Sequence, residues 1–331
     1  MGKISSKKRK KSRTKKFILL LLLTIVMFGT STYAWFTANQ VVTINSIDVK
    51  VEASNGLQIS TDANAWKSVI TNSDISTGYT GHTNQLPATV TAVSTDGAVD
   101  GTSGHLKLYR GIVGNDQATG DYNITTVLET EAAGSTGNFV AFDVFLRVDT
   151  PQTIYLTTNS NVVAKEGTDD KGLKNAARVG FVTLGEGAST DSVANLTALS
   201  NKIASKAIIW EPNMDTHSTM VTNTVAPEYG VTLVQNSNTP YYGVNKVISP
   251  AVNLKNLVKG SDTTNATLVT PDMKTAAVNS AYQRAFDLPA GVTKMRIYMW
   301  IEGQDIDCEN NATGSDITYN VQLSTQSSAG A

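Results

Sequence analysis

Between residues 138 and 148 apolar side chains alternate. Val140, Phe142, Val144, Leu146 and Val148 share one parity, and Phe139, Ala141, Asp143, Phe145 and Arg147 share the other. Period-two patterning of this length predicts a β-strand with the all-apolar parity in the core. Phe139 and Phe145 predict partial cover on the second face as well. The same reading places strands at 43–51, 56–60, 88–93, 105–109, 153–158, 178–184, 207–210, 230–234, 293–302 and 317–324. Turn-rich stretches such as 94–104 and 166–172 separate them. Helical periodicity is nearly missing. Residues 191–205 carry Val193, Leu196, Leu199 and Ile203 near helical spacing, and 271–284 open on Pro271, which suits a helix N-terminus. Strands at this density with polar loops predict an all-β fold, a jelly-roll-like β-sandwich with long loops and one or two short helices.

The N-terminus breaks this pattern. Residues 1–16 hold nine Lys and Arg and no acid, residues 17–28 are almost purely apolar, and small polar residues 29–34 follow. A basic region, an apolar region and a small-residue end constitute an export signal. Twelve helical residues rise about 18 Å, well short of the roughly 30 Å hydrocarbon core. The segment therefore reads as a cleaved signal peptide, with an uncleaved anchor as the alternative; both keep the basic cluster cytoplasmic. Thr32 and Ala34 suit the −3 and −1 positions, which places the cut before Trp35. The expected organisation is a signal segment at 1–34 and one elaborated sandwich domain at 35–331, with an N-terminal strand segment at 35–51. No internal repeat is visible.

Removing the leader changes the charge. The whole chain has 27 basic and 28 acidic side chains, and the exported part keeps 18 basic ones against all 28 acids. A net charge near −10 favours solubility and disfavours nucleic acid or an anionic membrane surface, so membrane contact is expected only through the leader. The single cysteine, Cys308, excludes an internal disulfide. Exported eukaryotic proteins of this size usually carry several, so the expected location is secreted, at the cell surface or in the matrix of a bacterium.

Past the cut the chain runs Trp35, Phe36, Thr37, Ala38, Asn39, Gln40, Val41, Val42, Thr43, Ile44, and then Ile47-Asp48-Val49. These residues resemble the TasA/camelysin family of exported bacterial matrix proteins. In that family a leader ends in Ala before an aromatic-Phe segment, and a Leu-Asp-Leu core marks the first strand about ten residues on. The resemblance covers about twenty residues, and Asn45-Ser46 stands where the family has a Gly. It implies processing by a signal peptidase of the SipW type, a jelly-roll fold and assembly into surface or biofilm fibres.

The residues themselves give that idea a physical basis. Exposed, an apolar segment containing Trp35, Phe36, Val41, Val42 and Ile44 is a sticky edge strand. Added to a neighbour's sheet, it gains ladder hydrogen bonds and buries those side chains. Burial contributes about 8–15 kcal/mol gross, and ordering some ten residues offsets most or all of it. Self-association would then be conditional. The competing reading is that the segment packs as the first strand of its own domain.

Little else in the sequence points to chemistry. His82, His105 and His217 are far apart, with no metal-ligand spacing. There is no His-Glu-x-x-His, no nucleophile elbow around Ser103 and no phosphate-binding glycine loop, so no catalytic residue and no enzyme activity are expected. The acidic context of Cys308 raises a thiol pKa and argues against a nucleophile. Glu302, Asp305, Asp307 and Glu309 form either a solvated acidic hairpin or a weak calcium site; no other cofactor is expected. Trp66, Tyr79, Tyr241 and Tyr242 lie in or near polar loops and are candidates to stack on a glycan. Trp210, Tyr298 and Trp300 lie on strands and read as core. The expected function is thus an exported structural protein, a fibre subunit assembling through its N-terminal strand, with a glycan-binding or adhesive surface module as the alternative.

Overall fold

The structure is a computed structural model that describes residues 47–54, 56–213, 241–258, 260–270, 273–274, 282–305, 307–308 and 314–327. It is the β-sandwich expected. Elements are labelled in chain order. One six-stranded sheet, sheet A, contains β1 (Ile47–Ser54), β3 (Val69–Thr71), β7 (Gln152–Leu156), β8 (Asn161–Ala164), β15 (Gln283–Leu288) and β17 (Ile317–Ser324). Its order is β15-β7-β17-β1-β3, with β8 also pairing β17. The other six-stranded sheet, sheet B, contains β2 (Gln58–Ser60), β6 (Val140–Val148), β9 (Ala177–Gly187), β10 (Ile208–Glu211), β14 (Met273–Lys274) and β16 (Gly291–Ile301). Its order is β14-β10-β9-β16-β6-β2.

The register follows from the side-chain pattern. Every residue of β16 is buried. Met295, Ile297, Met299 and Ile301 face the main core between the sheets, together with Val140, Phe142, Val144, Leu146 and Val148 of β6. Phe181 of β9 meets Phe286 of β15 across that core, ring centroids 5.6 Å apart. The first and last strands close sheet A: β1 runs parallel to β17, from Ile47 opposite Ile317 to Ser54 opposite Ser324. On its other side β1 pairs β3 through Lys50–Glu52.

A two-layer sandwich would leave the outer face of sheet B wet. Here loops cover it. Phe139, Ala141, Val182, Tyr298 and Trp300 join Val93, Leu106, Leu108 and Tyr241 in a second apolar cluster. Phe145 and Val292 join Ala63 and Leu196 in another. Farther out, β4 (Tyr109–Asn115) and β5 (Tyr122–Leu128) pair as a hairpin, with β12 (Val252–Asn253) on β5. β11 (Tyr241–Val244) pairs β13 (Ala266–Val269). The hairpin and this pair share a cluster containing Ile124, Val244, Leu254 and Leu257. The two layers approach closely at Gly243, where a Cβ would lie 2.0 Å from the Thr95 carbonyl oxygen.

Several expectations are corrected. Residues 88–93 are not a strand. Val93 alone bridges, to Glu302, because the backbone bonds here go to separate partners: Thr91 N to Asn138 O and Val93 N to Ile301 O. Residues 105–109 form isolated bridges, and the strand begins only at Tyr109. The helix expected at 191–205 is one short turn, α2 (Val193–Thr197), capped by Ser192. After it Lys202 N and Ala204 N bond to Leu184 O and Thr183 O, so pairing with β9 overrides helical spacing. The helix expected at 271–284 is contradicted where the chain is described, by β14 at Met273–Lys274 and by the start of β15 at Gln283, while 271–272, 275–281 and the strand expected at 230–234 lie outside the described residues. Two further short helices, α1 (Asn72–Thr77) and α3 (Leu254–Val258), were not anticipated.

The covered outer face gives a direct test. Phe142→Ala and Phe145→Ala should each destabilise the protein by about 3–5 kcal/mol in urea unfolding. A bare outer face would make the Phe145 change nearly neutral.

Candidate functional site

Three places merit description: the acidic segment after β16, the ionic row on the outer face of sheet B, and a cleft beside β15. The acidic segment is neither a solvated hairpin nor an extended run of alternating carboxylates. It is a buried turn, with Asp305 N bonded to Glu302 O and Cys308 N to Asp305 O. The Asp305 carboxylate binds the Arg178 guanidinium at 2.6 Å and accepts from Asp307 N at 2.8 Å. Glu302 is completely buried, accepting from Trp300 Nε1 at 3.2 Å and Gln304 N at 3.1 Å. Asp307 is 6 % exposed. Among the described residues no group of His, Cys, Asp and Glu is arranged to hold a metal ion; Glu309 lies outside them. Cys308 sits in the main core, where burial and then its acidic neighbours push the thiol pKa well up.

Arg178 of β9 lies between Glu211 and Asp305, 2.8 and 2.6 Å away, all three buried. Its side chain also lies over the Tyr241 ring, 5.3 Å from the centroid. A buried cation with two anions leaves one negative charge in excess, and Glu302 is close enough to feel Arg178. Burial nevertheless dominates and pushes the Glu302 carboxyl up to about 7.

A second row follows the same face. Arg296 of β16 binds Asp143 of β6 at 2.6 Å and Glu131 of a covering loop. Lys294 Nζ lies 3.4 Å from Asp143 and donates to the Thr197 carbonyl at 2.7 Å. Tyr79 OH donates to Asp143 at 2.6 Å, and Tyr298 OH donates to Glu131. These cations hold Asp143 below the usual carboxylate range despite its burial. His105 Nε2, from the loop above, lies 3.6 Å from Glu131.

No protein-family model, curated protein or solved structure matches the chain.

The four candidate glycan residues do not form one surface. Trp66 and Tyr79 pack on the cluster around Phe145. The Arg147 guanidinium covers the Trp66 ring at 4.2 Å, and Tyr79 is engaged by Asp143 and Lys294. Tyr241 is 1 % exposed and offers no face for stacking, which corrects its placement in a wet loop. Tyr242 packs over Gly260 at the third cluster. Trp210, Tyr298 and Trp300 are core, as expected. The cleavage-site residues Thr32, Ala34 and Trp35, and the rest of the assembly segment Phe36, Val41, Val42 and Ile44, lie outside the described residues. What is described is where that segment enters the fold: Ile47 begins β1, already paired with β17.

The cleft was not foreseen. It has a volume of about 630 Å³ and lies at one open side of the sandwich, with Thr183, Ile203, Ala204, Ile208, Ala285 and Phe286 in its lining. Two ion pairs stand in its walls, Lys202–Glu186 at 2.7 Å and Arg284–Asp287 at 2.5 Å. No sequence signal marks it, because a sequence does not reveal which strand ends a sheet.

Two measurements test these environments. Because the Glu302 pKa is raised in the folded state, its ionised form is penalised there, so its contribution to stability falls as pH rises from about 4.5 through 7. Between pH 5 and 8 the protein should lose on the order of 2–3 kcal/mol that Glu302→Gln does not lose, read from urea unfolding of both at each pH. Separately, Arg296→Met leaves Asp143 and Glu131 without their shared cation and should cost about 3–5 kcal/mol; the double change with Asp143→Asn should cost less than the sum of the two single changes, shown by a double-mutant cycle.

Proposed function

We propose that this chain is an exported, non-enzymatic structural protein of a bacterial surface or matrix, a fibre subunit that assembles through its N-terminal strand. The observation that carries the reading is the order of segments at the N-terminus. A basic and apolar leader is followed, after a small-residue cut site, by an uncharged stretch rich in apolar residues, and that stretch leads into a strand inside sheet A. Signal peptidase is the processing partner, and a second copy of the chain is the assembly partner.

The position of β1 sharpens this. Residues 47–54 pair with β17 along their whole length, so the downstream part of the strand expected at 43–51 belongs to the chain's own sheet. What remains for a neighbour is Trp35 to Ser46. Donation to another sheet would supply main-chain hydrogen bonds, with alternate side chains giving specificity. The resemblance to the TasA/camelysin family supports the same reading.

The N-terminal sequence of the protein recovered from culture medium should begin at Trp35, and that form should yield filaments by electron microscopy. Removal of residues 35–43 from it should abolish filaments with the melting temperature of the monomer unchanged. Filaments from the shortened form, or recovery of the protein only with its leader attached, would refute the reading.

A further inference from the structure

The outer face of sheet A is built differently from the covered outer face of sheet B. Val51 and Ala53 of β1 and Ile317, Tyr319, Val321 and Leu323 of β17 lie in the main core. Successive side chains on a strand point to opposite faces, so Lys50, Thr318, Asn320 and Gln322 stand on the other side. Lys50 is exposed and the three β17 residues are half-buried. β8 adds Asn161, opposite Asn320, and Val163, opposite Thr318. None of the apolar clusters outside the main core contains a residue of sheet A, so among the described residues no apolar layer packs on this face.

A groove with a volume of about 220 Å³ opens here, lined by Lys50, Asn159, Asn320, Val321 and Gln322. That is about seven liquid-water volumes, room for one pyranose ring. Its amides hold one another in place. Thr157 Oγ1 donates to Gln322 Oε1, Asn159 Nδ2 donates to the same oxygen at 3.0 Å, and Asn320 Nδ2 donates to Asn161 Oδ1 at 2.8 Å. The turn at 157–160 is tied to the strand as well: Thr157 N donates to Gln322 O at 3.0 Å, and Gln322 N donates to Ser160 Oγ at 2.9 Å. These bonds use one side-chain atom of each asparagine. The other, Oδ1 of Asn159 and of Asn320 and Nδ2 of Asn161, has no partner among the described residues. Farther along β17, Tyr155 of β7 lies opposite Ser324 on the same face. Its chain neighbours Ile154 and Leu156 are in the main core, and among the described residues no other ring or cation engages it.

We propose that this groove and Tyr155 bind an uncharged polysaccharide laid along β17. The site stands apart from the assembly reading and does not depend on it. Amide side chains offer both donors and acceptors, which match sugar hydroxyls, and amides already held in place lose little freedom on binding. A tyrosine ring offers an apolar face on which a sugar ring can stack, and a polar tip. Outward residues recur about every 7 Å along a strand, so Asn320, Gln322 and the Tyr155–Ser324 pair form a row for successive sugar units. Charge and polarity set this ligand apart from its competitors. Residues 156–164 and 317–324 contain no charged side chain, and Lys50 already has a partner, so a polyanion finds no basic patch. A protein partner is favoured by an apolar, aromatic centre, whereas amides line this one.

Adsorption isotherms of the full chain on particles of cellulose, chitin and curdlan test this, with phosphocellulose as the charged comparison. The chain should bind at least one of the neutral polymers, with an affinity unchanged between about 0.1 and 1 M salt. Asn159→Ala combined with Asn320→Ala should weaken that binding about tenfold or more, and so should Tyr155→Ala. Tyr155→Phe should retain it, as should Leu128→Ala on the exposed β4–β5 hairpin. Melting curves of each variant show that it is folded; if the asparagine pair is not, the contrast between Tyr155→Ala and Tyr155→Phe decides. All variants keep the leader, so adsorption through its apolar run would survive every substitution, and that result would overturn the site. Binding to phosphocellulose alone, lost as salt rises, would overturn the uncharged ligand. Failure to bind any of the three neutral polymers would overturn the proposal and leave the assembly reading standing.

Discussion

The structure depends on charge compensation on the outer face of sheet B. Arg296 and Lys294 stand on the strand that contributes Met295, Ile297 and Met299 to the main core. In a two-layer sandwich both would be solvated. Here a covering layer takes water away from them, and a buried charge without a partner is prohibitively costly. Asp143 comes from the neighbouring strand and Glu131 from the covering loop. Arg178, Glu211 and Asp305 repeat the arrangement nearer β10. Each network links loop to sheet through groups that cannot be separated one at a time, so the third layer is part of the folded state and no loose decoration.

This row explains what sequence could and could not show. The alternation at 138–148 predicts β6 and anticipates that its second face is covered, because Phe139 and Phe145 are too large to be left in water. The alternation at 293–302 predicts β16 but says nothing of what Lys294 and Arg296 will meet. The loop partner of Arg296, Glu131, lies 165 residues away, and nothing local to Glu129-Thr130-Glu131 marks which acid that cation will bind. The acidic run 302–309 misleads for the same reason. Composition suggests a wet hairpin, while the carboxylates of Glu302 and Asp305 turn inward to Trp300 and Arg178. Short-range pattern reports periodicity well. It does not report which distant charge completes a site.

Helix expectations failed by a related route. Val193 to Ile203 has helical spacing, yet Lys202 and Ala204 place their amides on β9 carbonyls. A marginal helix of this length has little intrinsic stability in water, and a sheet edge offers the same backbone groups a more cooperative partner. The residues that defeat the helix are also those that form part of the cleft lining. Sequence gave no sight of the cleft, because it arises from a difference in extent between two sheets.

The edge of β15 and the uncharged stretch 35–46 pose a common problem. Strand edges and uncharged apolar stretches are both aggregation hazards when exposed, and soluble proteins usually blunt them with charge, proline or cover. Asp287 and Arg284 put charge beside the edge of β15, but they neutralise each other, so they do little to repel an uncharged strand. Residues 35–46 contain neither proline nor charge. On the proposed reading the leader would be the remaining safeguard before export, since it sets nine positive charges and an apolar run ahead of that stretch. If that reading holds, processing, more than folding, sets when the stretch becomes available to pair, because its own composition supplies neither charge nor proline to hold it apart.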